Sequence, residues 1–177
     1  MDISRGFHGR LASPLTVGPD GMLDVTRWVV ENGIDADQVI DLGQVPNVLM
    51  PGILREMHVA LHPSRAEACT NLSVKEAMAC GLPVIAARNT GMLDLLTDDN
   101  CIMLRRQTPV LTADQAGTQG WGESDLEEID AALEFAYQDR AAAAATGARA
   151  RQWLLDHGRT GEQHAATLKE WVLSHSN

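Results

Sequence analysis

The stretch EACTNLSVKEAMACGLPVIAARNTG, residues 67–91, decides the fold of this chain. It reads as a polar loop, a short helix, a Gly-Leu-Pro break and a buried strand. Thr70 or Asn71 is a good N-cap, because either side chain can accept a hydrogen bond from a helix amide, and Gly81 is a typical stop. The apolar run at 84–87 then predicts a strand.

Similar short elements lie on both sides of this stretch. Further strands are predicted at three apolar runs, Val39–Leu42, His58–His62 and Cys101–Leu104, and helices at Leu23–Asn32 and Val48–Met57. Short strands alternating with helices are typical of βα units. We therefore expect an α/β fold with a Rossmann-like parallel sheet flanked by helices.

The C-terminal third is predicted to be helical after a loop at Gln107–Gly122. Ser124, with Glu127 three residues later, indicates a capping box at the start of a helix. Its apolar stripe comprises Leu126, Ile129, Leu133 and Ala136. Further helices are expected at Ala141–Ala145, Arg149–Leu155 and near Glu162–Leu173. We divide the chain into a loop-rich arm at 1–22, an α/β core at 23–122, and a helical segment of the same domain at 123–177.

Composition limits the classes of partner. A chain of 177 residues is long enough for one globular domain, and its net charge of -10 argues against nucleic acid or an anionic membrane as the main partner. Its three cysteines, Cys69, Cys80 and Cys101, form no CxxC pair. The N-terminus lacks the apolar core of a signal peptide, and no run of about 18 apolar residues predicts a transmembrane segment. These features favour a cytoplasmic protein.

Two carboxylates, Glu67 and Glu76, flank the start of the helix in the opening stretch. In open parallel sheets, ligands bind beyond the carboxyl ends of the strands, where this sequence has polar loops at 43–47, 63–71 and 88–91. The loop at 63–71 leads into a helix N-terminus, whose free amides suit a phosphate. Carboxylates beside a phosphate make better sense as acceptors for hydroxyls attached to it. A phosphate between two polyols describes a nucleotide diphosphate sugar.

The longer stretch SRAEACTNLSVKEAMACGLPVIAARNTG resembles the nucleotide-sugar domain of family-four glycosyltransferases, which are retaining, metal-independent enzymes of GT-B architecture. The family signature is a Glu, about seven residues, and then Glu-Ala-Met-Ala-Cys-Gly-x-Pro-Val. A branch with eight intervening residues is more similar, because Thr70-Asn71-Leu72 and Asn89-Thr90-Gly91 match it. The likeness extends from about Asp24 to Tyr137 and includes Gly43–Asn47 and Gly120–Glu123.

The resemblance implies a role for each matching residue. Glu67 would hold hydroxyls of the transferred sugar, as the catalytic position, and Glu76 would bind the ribose. Backbone amides near Thr70, Asn71 and Leu72 would face the diphosphate and the sugar. The other donor contacts implied by the resemblance are Val45, which would line the base pocket, and Gly91.

The sequence departs from the family at two points. Ala68 and Cys69 stand where the family has glycines that let the backbone approach the donor closely. The family's early Arg and Lys, which neutralise the diphosphate, have no counterpart. A metal pair formed by His58 and His62 is disfavoured, since no third ligand is spaced nearby.

We interpret the chain as the donor-binding half of a GT-B glycosyltransferase. The complete enzyme would transfer a hexose, with retention, from a UDP- or GDP-sugar, without a cofactor or metal. Its acceptor domain would come from a partner chain, or the chain would form a homodimer. Two alternatives stay open: a non-catalytic remnant or partner subunit of a glycosyltransferase, and a sugar-nucleotide epimerase of similar architecture.

Overall fold

The computed structural model describes residues 13, 15–19, 21–111 and 117–175. The chain divides into two compact units, Met1–Pro46 and Asn47–Asn177. Most of the arm predicted at 1–22 lies outside the described residues.

The first unit is built around one short helix, α1 (Val25–Glu31). The Asp24 side chain caps it by accepting a hydrogen bond from the Arg27 amide at 3.1 Å. Val29 is its buried residue. The helix predicted at Leu23–Asn32 is therefore confirmed. A 3-10 turn at Ala36–Gln38 follows it.

The strand predicted at Val39–Leu42 is wrong. This segment pairs with no strand in the described part of the chain, and Ile40 is 84% exposed. An apolar run becomes a strand only where a neighbouring backbone completes its hydrogen bonds, and no segment that the structure describes does so for Val39–Leu42.

The second unit holds five strands and five longer helices among its described residues. In chain order they are a 3-10 turn at Asn47–Leu49, α2 (Met50–Glu56), β1 (Ala60–His62), α3 (Leu72–Ala79), β2 (Val84–Ala87), a 3-10 turn at Thr90–Asp94, β3 (Ile102–Leu104), β4 (Gln107–Pro109), β5 (Gly122–Ser124), α4 (Leu126–Gln138), α5 (Arg140–Asp156) and α6 (Gly161–Ser174).

The main sheet is parallel, with strand order β1-β2-β3. Leu61 of β1 lies opposite Ile85 of β2, which in turn lies opposite Ile102 of β3. All four residues of the central strand β2 are buried, as expected for a parallel strand covered on both faces. The predicted parallel α/β fold is confirmed.

Successive side chains of β2 point to opposite faces of the sheet, and each face has its own core. On one face Val84 and Ala86 pack with Val74 and Met78 of α3 and with residues of α5. On the other face Ile85 packs beneath α4. The helices therefore form layers on both sides of the sheet.

The segment after β3 differs from the prediction. The predicted loop at Gln107–Gly122 contains β4, which pairs antiparallel with β5 at its far end. Ser124 belongs to β5, and Asp125 caps α4 by accepting from the Glu128 amide at 2.9 Å. The predicted stripe is also shifted, because Leu126 is 80% exposed. A polar strand such as Gln107–Pro109 carries no apolar alternation, so the sequence gives no signal for it.

The last two helices bury different amounts of apolar surface. Trp153 of α5 packs against the core, whereas Trp171, Leu168 and Val172 of α6 are exposed.

Burial raises the pKa of the Cys101 thiol to about 12, as expected of an inert core cysteine. Among the described residues, no helix is both long and apolar enough to cross a membrane.

Candidate functional site

The loops that follow β1 and β2 meet at the carboxyl edge of the sheet. Asn89, directly after β2, is buried, and its Nδ2 donates to the backbone oxygens of Ser64 and Arg65 at 2.9 and 3.0 Å. The Asn89 side chain therefore joins the two loops by hydrogen bonds. The adjacent strands β1 and β2 are parallel, so their ends present the loops side by side.

The backbone of Glu67 is held by the β2 loop from two directions. Its amide donates to Thr90 Oγ1 at 2.7 Å, and its carbonyl accepts from the Gly91 amide at 3.2 Å. A Cβ on residue 91 would lie 2.2 Å from the carbonyl oxygen of Cys69. The loop backbone passes so close to residue 91 that no side chain fits there, so glycine is required.

The side chain of Glu67 is held by the start of α3. Asn71 Nδ2 donates to Glu67 Oε1 at 2.5 Å, and Asn71 Oδ1 accepts from the Val74 amide at 3.0 Å, which confirms Asn71 as the N-cap. Within the described part of the chain, the amides of Leu72 and Ser73 find no acceptor. Two free amides at a helix N-terminus attract an anion.

The backbone at residues 68 and 69 does not require the glycines that the family has at these positions. Thr90 has a φ of 38°, and no other non-glycine residue in the described ranges has a positive φ. Ala68 and Cys69 therefore adopt ordinary backbone conformations, with exposed side chains. The substitution changes the surface of the loop but does not strain its backbone.

Glu76 lies apart from Glu67, on the next turn of α3. It lines two cavities, of about 210 and 410 Å³, and Glu67 lines neither. The smaller cavity includes Asn47, Arg55 and Leu54, and the larger includes Lys75, Arg151, Arg159 and Thr160. Thr70 is half-buried in the loop before α3, and Val45 is half-buried in the first unit.

His62 ends β1, just before the Glu67 loop. Burial lowers the pKa of this imidazole below its ordinary value of 6.5, and the charge of Glu67 offsets part of that shift. Because its pKa is lowered, the His62 imidazole is neutral at neutral pH.

Among the described residues, no three His, Cys, Asp or Glu side chains lie close enough to hold a metal ion.

Acidification is expected to destabilise the fold through His62. The unfolded chain takes up a proton near pH 6.5, whereas the folded chain resists it, so the free energy of unfolding should fall as the pH drops below that value. Urea unfolding at about pH 7.5 and about pH 5.5 measures the difference. His62→Gln should reduce the pH dependence, and His164→Gln, at an exposed position of α6, is the matched control. Equal dependence in both variants would assign the effect to other groups.

The contacts of Thr90 with the Glu67 amide and of Asn89 with the preceding loop were not predicted from the sequence. The sequence signals for these two residues were their position after the buried strand β2 and their match to the family motif. Arg65 forms an ion pair with Glu123, and the Gly122 amide donates to the Arg65 carbonyl at 2.9 Å. These contacts depend on the β4–β5 hairpin, which the sequence pattern does not predict.

The fold and sequence were compared with known proteins. Crystal structures of the Anabaena protein Alr3699/HepE are similar to this chain: the complex with UDP and the complex with UDP-glucose each show 18% identity and a TM-score of 0.58. The complex with UDP and glucose shows 19% identity and a TM-score of 0.57. Each match covers 83% of this chain but only 36% of the other. At this identity the likeness shows the fold.

The sequence itself matches one family model. No curated protein matches the chain. The model of the group 1 glycosyl transferases matches residues 12–118, more than half of the 177 residues, and this range contains Glu67, Asn71, Glu76 and Gly91. The chain therefore belongs to the group 1 glycosyltransferases.

Proposed function

We propose that this chain is the donor-binding part of a retaining hexosyltransferase and binds a nucleoside diphosphate sugar. The observation that carries the proposal is the fixed Glu67 carboxylate beside the amides of Leu72 and Ser73, which find no acceptor among the described residues. An acceptor for sugar hydroxyls thus lies next to an anion-attracting helix end. This pair of features suits a sugar attached to a phosphate.

The donor is oriented by α3. Its diphosphate faces the amides of Leu72 and Ser73, and its sugar hydroxyls donate to Glu67. Glu76 accepts the ribose hydroxyls; it lies four residues beyond Leu72, about 6 Å along the helix axis, which is short enough for one nucleotide to reach both. Gly91 leaves room for the backbone of the loop that carries Glu67.

The chemistry assigned to the complete enzyme is positioning combined with stabilisation of the departing diphosphate. Helix amides at that point offset negative charge as it develops. No metal or cofactor takes part in the proposed reaction. Retention of configuration and the GT-B arrangement of two domains belong to the proposal and are supported by membership of the family.

The structural neighbours support the donor class. The similar HepE chain has been crystallised with UDP and with UDP-glucose. The present chain spans about a third of the length of that protein. The proposal also includes an acceptor site supplied by a partner chain or by a second copy, and a cytoplasmic location, which the three free cysteines favour.

Calorimetric titration with UDP, UDP-glucose, GDP and GDP-mannose tests the proposal. Glu76→Ala removes the ribose acceptor and should weaken all bound ligands by roughly tenfold to a hundredfold, since a hydrogen bond to a charged group contributes about 1.5–3 kcal/mol. Glu67→Gln should weaken only the two sugar nucleotides. Glu170→Ala, on the exposed part of α6, serves as the matched control.

Two results would contradict the assignments. Wild-type affinity of Glu76→Ala for UDP and GDP would remove the ribose role. Equal losses for UDP and UDP-glucose in Glu67→Gln would show that Glu67 does not contact the sugar. No binding of any of the four ligands by the wild-type chain would overturn the proposal as a whole.

A further inference from the structure

We infer that the Asn71 side chain is a positioning residue that fixes the orientation of the Glu67 carboxylate for the donor sugar. This inference rests on the proposed function and deepens it. In the sequence analysis, Thr70, Asn71 and Leu72 were assigned a role through their backbone amides only. The side-chain role of Asn71 is distinct from those amides and is carried by its two hydrogen bonds.

Both ends of the Asn71 amide are used. Its Nδ2 donates to Glu67 Oε1 at 2.5 Å, and its Oδ1 accepts from the Val74 amide at 3.0 Å. A flipped amide would place its oxygen against a carboxylate and its NH₂ against an N–H, so the two partners determine a single orientation. Because Asn71 is bound to the first turn of α3, the helix fixes the position from which Asn71 contacts Glu67.

Glu67 is consequently held at three points. Its amide and carbonyl are bound to Thr90 and Gly91, and its Oε1 is bound to Asn71. Within the described ranges, Oε2 has no hydrogen-bond partner, and the residue is half-buried at the loop surface. One carboxylate oxygen is thus used for orientation, and the other is left to accept a sugar hydroxyl.

The two hydrogen bonds of Asn71 can be separated by substitution. Asp is as good an N-cap as Asn, so Asn71→Asp keeps the bond to Val74. It removes the donor to Glu67 and sets a second carboxylate against the first, which turns Glu67 away. Asn71→Ser also keeps a cap but has no group that reaches Glu67, and it adds no charge.

The measurement is the ratio of affinities for UDP-glucose and UDP, or for GDP-mannose and GDP where the guanine pair binds. Asn71→Asp and Asn71→Ser should each lower this ratio by about tenfold, while the melting temperature stays near that of the wild type. Asn71→Ser is the charge-free counterpart of Asn71→Asp, so a ratio lowered in both variants reports the lost donor. Ala145→Asp, at an exposed position of α5, adds the same charge with Asn71 intact and should leave the ratio unchanged.

The outcomes distinguish this inference from the function on which it rests. A ratio within about twofold of the wild-type value in both Asn71 variants, alongside a reduced ratio in Glu67→Gln, would overturn the positioning role and leave the function standing. An unchanged ratio in Glu67→Gln would remove the sugar contact of Glu67 and with it the positioning role of Asn71, whereas no binding of any ligand by the wild-type chain would overturn the function itself. A large fall in melting temperature in both Asn71 variants would assign Asn71 to helix stability alone and would also overturn the inference.

Discussion

Gly147→Ala is expected to lower the free energy of unfolding by about 3 kcal/mol, the upper end of the usual cost of overpacking, because the added methyl group meets backbone. A Cβ at this position of α5 would lie 2.2 Å from the carbonyl oxygen of Gly81, 2.8 Å from the Pro83 nitrogen and 2.9 Å from the Leu82 carbonyl carbon. All three are backbone atoms and cannot yield by a rotamer change. The helix would have to move away from the turn that ends α3, and the core between α3 and α5 would open.

Urea unfolding followed by circular dichroism measures this effect, with Gly52→Ala as the matched control. Gly52 lies in α2, and a Cβ there would meet nothing within 4 Å. Because alanine favours helix over glycine by about 1 kcal/mol, the control should gain stability. Equal stability changes in the two variants would show that α5 does not pack directly on residues 81–83.

Gly91→Ala is expected to abolish the preference for sugar nucleotides while the sheet and its helices stay folded. The added Cβ would lie 2.2 Å from the Cys69 carbonyl oxygen and 3.0 Å from the Glu67 carbonyl oxygen. The loop carrying Glu67 must therefore lift away from the β2 loop, with loss of the bond from the Gly91 amide. We expect the affinity for UDP-glucose to fall by roughly a hundredfold and that for UDP to fall much less.

Calorimetry with both ligands decides this prediction, and circular dichroism checks that the secondary structure is retained. Gly52→Ala again provides the control, since it makes the same substitution away from the loop and should leave both affinities unchanged. Retained affinity of Gly91→Ala for UDP-glucose would mean that the Glu67 loop takes no part in holding the sugar.

Local signals in the sequence were enough to predict the elements around α3. Asn71 caps the helix, and Gly81, with a φ of 76°, follows its end, because capping and left-handed backbone depend on residues a few positions apart. The buried strand β2 was equally clear, as a short apolar run between two turn signals. Alternation of such elements implied the parallel sheet.

The errors in the secondary-structure prediction arise where pairing between distant segments decides the outcome. Val39–Leu42 has the composition of a strand but finds no partner in the described chain. Gln107–Pro109 lacks that composition, yet it becomes a strand because β5 pairs with it. The start of α4 shifted for the same reason, since Ser124 is used by β5 and the cap passes to Asp125.

The sequence by itself determined which residues are candidates for donor binding, and the tertiary structure decided how they are grouped. Asn71 and Glu67 are four residues apart, so their contact follows from the local chain. Thr90 and Gly91 meet Glu67 only because β1 and β2 are parallel neighbours whose ends lie side by side. Glu76 is separated from Glu67 because rise and rotation along α3 turn it towards other cavities. Sequence spacing determines contacts between residues a few positions apart, whereas contacts between loops depend on the pairing of strands.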